Sequence, residues 1–478
     1  MSGAPQILSD SAVALSQTKR SWIAGSNAVL IAASAAGCLV FVTSAVVPVA
    51  LPAIGLDLRL SPSELQWLIN AELLPLSALT LIAGALGDRY GQKRILVLGI
   101  ALFGAGVLWL SLATSWLGLV LARFTQGLAE ALILPSSLSV LGQAFPADLR
   151  ARAIGFWSAA AAVACAIAPA IAGALLDAGS WRWVFGMLGP LIIVALGLAT
   201  AYIPNHAPTR GEPIDLAGGL TSTLMLAGFG IALTRLTSGA GLDAPATIAS
   251  GVGFASLAAL VVVERRRGDR AMLPPALLAS RSIVGSSLYT ALLYGPFAVV
   301  LTLIPYVMIR GAHLSTTLTG LAFIPLQVSI TIVSPWAGAL CRRFGRRSPL
   351  ILGAVVVALS CVAALRIGEG ATYWRDIFPA VLLLAFGMSL AIAPLTTLVL
   401  TSVELDRAGT AAGVNGATSR AGSLLAVALL GGVLEQDGAA LFVEFRAAMI
   451  ASALACVAAA ISVLIIEPGP HLDFFPRA

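Results

Sequence analysis

The segment Gly84–Arg94, GALGDRYGQKR, lies between two long apolar segments, and a related segment, GALCRRFGRRS, occurs at Gly338–Ser348. Gly, Ala, Leu, Arg and Gly recur at the same places, and Tyr90 in the first copy corresponds to Phe344 in the second. The copies are 338 − 84 = 254 residues apart. These two segments are called the hinges. A basic hinge that occurs twice at this distance predicts a chain with two related halves.

The composition indicates the environment in which this chain folds. Its 478 residues are 59% hydrophobic and 10% charged, with a mean hydropathy of +0.96, whereas about 25% of residues are charged in soluble domains. Apolar runs of about 20 residues, long enough to cross a ~30 Å hydrocarbon core, recur along the chain. We therefore predict an all-α, polytopic membrane protein with fourteen transmembrane helices, at 22–51, 63–86, 95–112, 116–141, 153–176, 183–203, 215–236, 244–263, 283–309, 316–340, 350–367, 373–400, 408–434 and 447–466.

The distribution of Lys and Arg predicts the orientation of these helices. With the N-terminus placed inside, the loops and tails on that side hold nineteen of the 28 basic residues, and the opposite loops hold six. The remaining three, Arg123, Arg235 and Arg420, fall within apolar segments. Because positive charge is enriched in cytoplasmic loops, we expect a multi-pass protein of the cytoplasmic (inner) membrane with both termini in the cytoplasm. The net charge of +6 then reflects topology, and we expect no binding to nucleic acid.

The repeat also predicts the domain organisation. Gly155 and Gly409 share the 254-residue offset, and each lies near the start of the fifth span of its half. Six spans cover residues 22–203, so the offset leaves room for two further spans between the halves. Two parallel six-helix repeats related by an axis along the membrane normal would give this pattern. The predicted units are an N-terminal tail (1–20), a first bundle (21–204), a linker with two extra helices (205–270), a second bundle (271–467) and a C-terminal tail (468–478).

Several motifs resemble those of a known family. The pattern Gly84-x-x-x-Asp88-Arg89-x-Gly91-Gln92-Lys93-Arg94 is similar to the loop motif between spans two and three of major facilitator superfamily transporters. Span four reads ARFTQGLAEALILPSSL from Ala122, and its matching positions are Arg123, Gln126, Gly127 and Pro135. The fourteen-span drug:proton antiporter branch typically has SWRWVF, here Ser180–Phe185, and ALP closing span one, here Ala50–Pro52.

This resemblance implies two six-helix bundles of the major facilitator type plus an inserted helix pair. It further implies a secondary transporter that exports small amphipathic compounds, such as drugs or toxic metabolites, in exchange for protons, by alternating access. We expect no cofactor, and we expect a monomer to be functional, with a small-molecule substrate, protons and the lipid bilayer as its partners.

The hinge is predicted to act as a conformational latch. Gly84 and Gly91 allow a close helix approach and a tight turn, and Asp88 is able to accept hydrogen bonds at the N-terminus of a neighbouring helix, where the dipole favours an anion. The basic residues Arg89, Lys93 and Arg94 would anchor the loop at the anionic leaflet. The second copy has Arg342 in place of Asp88, which predicts that only the first half latches. The alternative is a cluster of basic residues that only directs topology.

Span four carries the polar residues that point most directly to transport chemistry. Arg123, Gln126 and Glu130 are spaced by three and four residues and so share one helical face. Ionisable side chains at this depth are costly unless they face the bundle interior or a water-filled cavity. Glu130 is the predicted proton carrier, with Arg123 beside it and Glu72 in span two as a second candidate. The alternatives are a static Arg123–Glu130 pair and, for Glu72, either a contact with a substrate cation or a purely structural role near the outer end of span two.

Other residues are assigned to the substrate cavity and to helix packing. Gln327, Asn415 and Arg420 are expected to line the second half of a central cavity together with Gln126, while Pro169 and Gly173 are expected to bend and pack span five. The sequence departs from the family pattern in span one, where Thr43 stands in place of the usual acidic residue. It also departs in span two, where Glu72 replaces a common aromatic residue.

Rival functions receive less support from the sequence. The three histidines, His206, His313 and His471, lie in separate loops, which disfavours a membrane-embedded enzyme and a metal site. No GxxxxGK[ST] loop is present, which disfavours an ATP-driven pump. The five cysteines contain no CxxC pair and are interpreted as small packing residues. A proton-independent or symport-type facilitator remains the main alternative, and a channel is less consistent with the repeat.

Overall fold

The computed structural model describes residues 4–205, 215–237, 241–268, 280–403 and 408–466, and no strand occurs among them. The first half comprises α1 (Ala4–Leu58), α2 (Pro62–Tyr90), α3 (Gln92–Leu112), α4 (Trp116–Ala144), α5 (Ala147–Ala178), α6 (Trp181–Gly186) and α7 (Leu188–Tyr202). The inserted pair is α8 (Leu216–Thr237) and α9 (Ala244–Arg267). The second half comprises α10 (Arg281–Arg310), α11 (Thr316–Leu321), α12 (Ile324–Phe344), α13 (Arg347–Ala364), α14 (Phe378–Thr401), α15 (Ala408–Val427), α16 (Gly431–Leu434) and α17 (Gly438–Ser462). A π-helical turn, Tyr373–Ile377, leads into α14, and a 3-10 turn, Val463–Ile465, ends the second half.

Short polar caps explain where several helices begin. At the start of α2 the Ser61 side chain accepts a hydrogen bond from the Glu64 backbone N–H, and the Glu64 carboxylate accepts one from the Ser61 N–H. Serines in the corresponding position cap α4, α10 and α11. Gly91 alone separates α2 from α3 and has φ 97, a conformation that favours glycine. The first hinge is therefore a one-residue turn.

The first helix does not end where the ALP motif predicted. α1 continues through Pro52 to Leu58, because a proline removes one backbone donor without necessarily ending a transmembrane helix. The extended end is held by Asp57, whose carboxylate accepts hydrogen bonds from Trp181 Nε1 at 2.8 Å and Arg182 Nη1 at 2.7 Å. The SWRWVF segment thus forms α6 and fastens the end of α1.

The two halves meet along two related seams. α2 of the first half packs against α15 of the second, and α5 of the first half packs against α11 and α12. The second span of each half therefore contacts the fifth span of the other, as expected for parallel repeats. The end of the molecule with the two hinges is called the hinge side below, and the opposite end is called the far side.

Two glycines show how the third and fourth spans of the halves correspond. Gly99 of α3 lies against the backbone carbonyl of Ala129 in α4, and Gly353 of α13 lies against that of Gly387 in α14. Gly99 and Gly353 are separated by the hinge offset of 254 residues, while Ala129 and Gly387 are separated by 387 − 129 = 258. The fourth spans therefore correspond with an offset of 258 residues.

The inserted helix pair contacts both halves. Towards the hinge side, Gly219 of α8 faces Ile82 of α2 so closely that a side chain at Gly219 would collide with it. On the far side, the Thr237 hydroxyl donates a hydrogen bond of 3.0 Å to the backbone carbonyl of Ala428, just after α15. The pair thus lies beside the seam between α2 and α15.

A surface ion pair closes the far end of the inserted pair. Arg235 at the end of α8 binds the Asp243 carboxylate at 2.9 and 2.6 Å, and Asp243 also caps α9 by accepting from the Ala246 N–H. The hydrogen bonds from Arg235 hold the pKa of Asp243 below its ordinary value. Arg235, one of three basic residues in apolar segments of the sequence, therefore lies at a helix end and is paired.

The helices support a polytopic membrane fold, but the number fourteen stays a prediction. Among the described residues, twelve helices are long and apolar enough to cross a membrane, and α2, bent by 56° between Thr80 and Ile82, makes thirteen if counted as one span. The remaining predicted span corresponds to α15, a 20-residue helix rich in small and polar residues that is not among them. The C-terminal tail (468–478), His206, His471 and parts of the 205–270 linker lie outside the described residues, and residues 4–20 belong to α1.

Candidate functional site

Arg123 is the centre of a buried polar cluster in the first half. Its side chain, on α4, is 1% exposed. Nε donates to the backbone carbonyl of Leu68 at 3.0 Å, and Nη1 donates to Gln126 Oε1 at 2.8 Å. Its second terminal nitrogen, Nη2, forms an ion pair with the Glu72 carboxylate. All three guanidinium nitrogens are therefore bound to partners on α2 and α4.

A glycine brings α2 and α4 close enough for this ion pair. Gly127 lies against the backbone carbonyl of Glu72 and the ring of Pro75, and a side chain at Gly127 would overlap both. The small residue lets the helix backbones touch, which places the Glu72 side chain beside Arg123. Glu72 is 3% exposed, so the carboxylate that the sequence left without an assigned partner is a buried counter-charge.

The cluster extends to α1 through a serine. The Ser44 hydroxyl lies 3.4 Å from Glu72 Oε1 and 3.2 Å from the backbone carbonyl of Val40. Thr43, which stands where the family usually has an acidic residue, donates its hydroxyl to the Leu39 carbonyl one turn earlier in the same helix. Span one therefore contributes a hydroxyl to Glu72 and no charge of its own. The Ser44 contact has no signal in the sequence.

Glu130 shares the α4 face with Arg123 and Gln126 but is not bonded to either. It is fully buried, and neither carboxylate oxygen has a hydrogen-bond partner among the described residues. Its charged neighbours are the guanidinium groups of Arg123 on its own helix and Arg420 on α15 of the other half. A static Arg123–Glu130 pair, one of the alternatives from the sequence, is therefore absent, and Glu72 takes that place.

The second half brings one charge towards this region. Arg420 is half-buried, its Nε has no hydrogen-bond partner among the described residues, and Tyr294 is an electrostatic neighbour. Tyr294 also makes an edge-to-face contact with Phe297. The sequence analysis did not single out Tyr294 or Phe297, because aromatic residues are common in apolar spans.

The other predicted cavity residues make contacts within the second half. Asn415 Oδ1 accepts a 2.6 Å hydrogen bond from the Thr290 hydroxyl and so ties α15 to α10 within the second half. Gln327 is half-buried on α12, and its backbone carbonyl accepts from Thr331. These contacts do not assign a cavity role to either residue, which therefore stays a prediction.

Each hinge has a basic residue at the corresponding position, and each of these residues donates hydrogen bonds to carbonyls at the end of a helix. Lys93 Nζ donates at 2.7 Å to the carbonyl of Thr200, near the C-terminal end of α7. Arg347, 254 residues later, donates to the carbonyls of Leu464 and Ile466 at the end of the second half. A cation at a helix C-terminus satisfies free carbonyls and is favoured by the dipole. Each hinge therefore caps the sixth span of its own half, a role that the sequence analysis missed.

The remaining hinge residues have local contacts. Asp88 Oδ1 accepts a 2.8 Å hydrogen bond from Gln92 Nε2, and the Arg89 guanidinium lies 5.7 Å from the Tyr90 ring centre. Gly84 has Pro135 Cβ at 4.0 Å, an ordinary contact, so it does not require glycine for space. The latch assigned to Asp88 stays a prediction, and the side chain of Arg342 lies outside the described residues.

The far-side seam between α5 and α11 is held by a carboxylate. Asp177 accepts hydrogen bonds of 2.6 Å from the hydroxyls of Thr316 and Thr317, and of 3.3 and 3.0 Å from their backbone N–H groups. Gly173 packs against the backbone of these threonines, and Gly320 packs against the backbone of Pro169, so neither glycine has room for a side chain. Gly173 thus contacts the other half, and Asp177 is a cross-half contact that the sequence analysis missed.

A metal or disulfide centre is not evident in the part of the chain that the structure describes. No group of three or more His, Cys, Asp or Glu side chains there is arranged to hold a metal ion. Four cysteines, Cys38, Cys165, Cys361 and Cys456, are free thiols, and the side chain of Cys341 lies outside the described residues.

The chain is similar to known transporters in sequence and in fold. The family model described as Major Facilitator Superfamily matches residues 33–427 and also 287–476. The puromycin resistance protein pur8 of Streptomyces alboniger is 32% identical over 409 residues, 84% of this chain and 80% of that protein. The multidrug resistance protein Stp of Mycobacterium tuberculosis is 29% identical over 401 residues, 83% of this chain and 73% of that protein.

Solved structures show the same architecture. An auto-inhibited peptide transporter of the POT family superposes with a TM-score of 0.68 at 18% identity, covering 95% of this chain and 99% of the other. The inward-open xylose transporter XylE of Escherichia coli superposes with a TM-score of 0.62 at 15% identity, covering 93% and 96%. With its repeated hinge, two crossed seams and matched family model, this polytopic membrane protein belongs to the Major Facilitator Superfamily of transporters.

Proposed function

We propose that this protein exports small amphipathic compounds across the cytoplasmic membrane in exchange for protons. The observation that carries the proposal is the Glu130 carboxylate, fully buried in a membrane-spanning helix with no hydrogen-bond partner among the described residues. A carboxylate in this position is stabilised by taking up a proton, whereas a structural one would be paired. The sequence relatives named for resistance to puromycin and to multiple drugs support export of such compounds.

The transport cycle follows from the two seams. On the far side, Asp177 and the glycine contacts hold α5 and α11 together, so release to that side requires this seam to open. Glu130 lies on α4 of the first half and Arg420 on α15 of the second, so movement of the halves changes the surroundings of the carboxylate. Cargo and protons exchange when the deprotonated state binds cargo better, because differential affinity alone shifts the conformational equilibrium.

The proposal includes the orientation and assembly of the molecule. The excess of Lys and Arg on the hinge side supports a cytoplasmic location of the hinges and of both termini. A monomer as the working unit is also part of the proposal. Reporter fusions near Arg210 and Arg267 are expected to read cytoplasmic, and a reading on the other side at either residue would contradict this orientation.

The decisive experiment replaces Glu130 with glutamine, which mimics the protonated form. Purified Glu130→Gln protein in proteoliposomes is expected to lose transport driven by a pH gradient, while substrate exchange at equal pH persists. Glu444→Gln, the same chemical change at an exposed position of α17, is the matched control and is expected to behave as the unmodified protein. Full pH-driven transport by Glu130→Gln would contradict the role of Glu130. Wild-type transport that ignores the pH gradient would favour a proton-independent facilitator.

A further inference from the structure

We infer that Glu72 and Ser44 are positioning residues that keep Arg123 away from Glu130, so that Glu130 remains free to exchange protons. This inference rests on the proposed function and assigns different roles to the two buried carboxylates. Glu72 stays paired and serves as a fixed counter-charge, and Glu130 is the carboxylate that changes its protonation.

The first step is the complete occupation of the Arg123 guanidinium. Its three nitrogens bind the Leu68 carbonyl, the Gln126 amide oxygen and the Glu72 carboxylate, and none of them binds Glu130. A guanidinium is a rigid, planar fork of donors, so these partners fix its direction as well as its charge. Arg123 is therefore turned towards α2.

The second step concerns what happens to Glu130 when Glu72 is removed. Glu130 lies seven residues after Arg123 on the same face of α4, a rise of about 10 Å, which two long side chains can span when both turn towards each other. Without Glu72, Arg123 is a buried cation with no acidic partner. An unpaired buried charge is strongly destabilising, so pairing with another carboxylate is favoured. Glu130 is the remaining acid on this face of α4, so the two would pair.

The charged surroundings of Glu130 leave few other candidates. α4 packs against α1, α2, α3 and α5. Glu72 on α2 and Arg123 on α4 itself are the buried charges of this group, and Arg420 on α15 is the charged neighbour from the other half. On α1, α3 and α5, the charged side chains that the structure describes lie at the helix ends. The protonation of Glu130 thus depends mainly on where Arg123 points and on the approach of Arg420.

The third step is the role of Ser44. Its hydroxyl lies 3.4 Å from Glu72 Oε1, on the adjacent helix α1, and the residue is exposed. The contact restrains the carboxylate that holds Arg123. It also means that a carboxylate introduced at position 44 would reach the space beside Arg123 that the Glu72 carboxylate now occupies. The counter-charge can therefore be moved from one helix to its neighbour, which provides a direct test.

The test follows the protonation of Glu130 without any cargo. Infrared difference spectra of the purified, full-length protein, recorded over a range of pH, are expected to contain a band of the protonated carboxyl group that Glu130→Gln removes. In Glu72→Gln we expect the midpoint of this band to move by about one pH unit or more towards acid, because pairing with a guanidinium keeps a carboxylate ionised. The double variant Ser44→Asp with Glu72→Ala, in which the short side chain at position 72 frees that space, is expected to restore the wild-type midpoint, whereas Glu72→Ala alone is expected to behave as Glu72→Gln does.

The outcomes separate this inference from the proposed function. A Glu130 band with the same midpoint in wild type and Glu72→Gln would overturn the positioning role while leaving proton exchange by Glu130 intact. A wild-type protein without any Glu130-dependent band would overturn the proposed function itself. Should Glu72→Gln fail to fold, Ser44→Ala, which removes only the hydroxyl, is expected to move the midpoint in the same direction by a smaller amount. An unchanged midpoint in Ser44→Ala would then overturn the role assigned to the serine.

Discussion

The interiors of the two halves differ, although their helices correspond. In the first half, the buried polar residues of α2 and α4 include Glu72, Arg123, Gln126 and Glu130. With offsets of 254 residues for the second span and 258 for the fourth, the corresponding residues of the second half are Leu326, Val381, Leu384 and Met388. All four of these are buried and apolar. The charged neighbour that the second half places near Glu130 is the guanidinium of Arg420 on α15.

The features that both halves share are those that specify the fold, whereas the buried polar residues of the first half are those assigned to transport. The features present in both halves are the small residues where helices touch, such as Gly99 and Gly353, and the basic caps Lys93 and Arg347. Among the residues that the structure describes, the buried Arg123–Glu72 ion pair and the Glu130 carboxylate without a hydrogen-bond partner lie in the first half. Under the proposed function, the two halves provide similar scaffolds and the first half provides the carboxylate that exchanges protons.

The largest expected effect is that of replacing Arg123, which corresponds to the apolar residue Val381 in the second half. Arg123→Gln leaves the buried Glu72 carboxylate without its counter-charge, which costs about 3–5 kcal/mol of stability. Val381→Ala, at the corresponding position of the second half, removes only apolar contacts and is expected to cost about 2 kcal/mol. Unfolding in detergent, followed by circular dichroism, measures both losses. Equal losses would mean that the ion pair adds nothing to the first half beyond packing.

A second prediction concerns the far-side seam, where the halves touch through glycine. Gly173→Ala places a methyl group against the backbone of Thr316 and Thr317 and is expected to weaken far-side closure by about 1–3 kcal/mol. Spin-label distances between α5 and α11 are expected to lengthen. Gly155→Ala, in the same helix with nothing within 4 Å of the added carbon, is the matched control. Similar distances in both variants would show that the seam tolerates a side chain.

A third prediction sharpens the comparison between the two hinges. Asp88→Asn is expected to reduce transport more than Arg342→Ala, since only the first hinge has an anion that is able to hold a helix N-terminus, an interaction of up to about 1 kcal/mol. Transport by purified, folded variants in proteoliposomes is the measurement. Equal reductions would indicate that the hinges act only through their basic charge.

The smallest expected effect concerns the basic caps, which occur in both halves. Lys93→Ala and Arg347→Ala each remove a cation from a helix C-terminus and are expected to cost about 0.3–1 kcal/mol. The two losses in thermal stability should be similar, and both should diminish in high salt because the contacts lie near the surface. A loss confined to one variant would show that the halves do not use their hinges alike.

Much of the fold could be predicted from the sequence, because its signals are local. Apolar runs, serine caps and the repeated hinge each lie within a short stretch, and the crossed seams follow from the repeat. The end of α1 was predicted wrongly at Pro52, since a proline marks a helix end only where no membrane or neighbouring helix supports the backbone. The fate of α15 as a span is undecided because its small polar residues do not produce an apolar run.

The site was predictable only in part, because its contacts are not local. The spacing of Arg123, Gln126 and Glu130 placed them on one face, as observed. The partner of Arg123, however, lies 123 − 72 = 51 residues earlier on another helix, and it is the crossing at Gly127 that brings it close. Asp177 likewise gave no signal, since its partners Thr316 and Thr317 are about 140 residues away.

The two basic caps also bear on the order in which the chain is made. Lys93 is synthesised 107 residues before Thr200, and Arg347 is synthesised 119 residues before Ile466. Until the sixth helix of its half emerges, each cation has no carbonyl to bind and is free to remain with the anionic lipid head groups that orient the growing chain. When that helix arrives, the same charge transfers to its end. With the hinges on the cytoplasmic side, as proposed above, a single basic residue in each half would both orient that half during insertion and hold the end of its last helix afterwards.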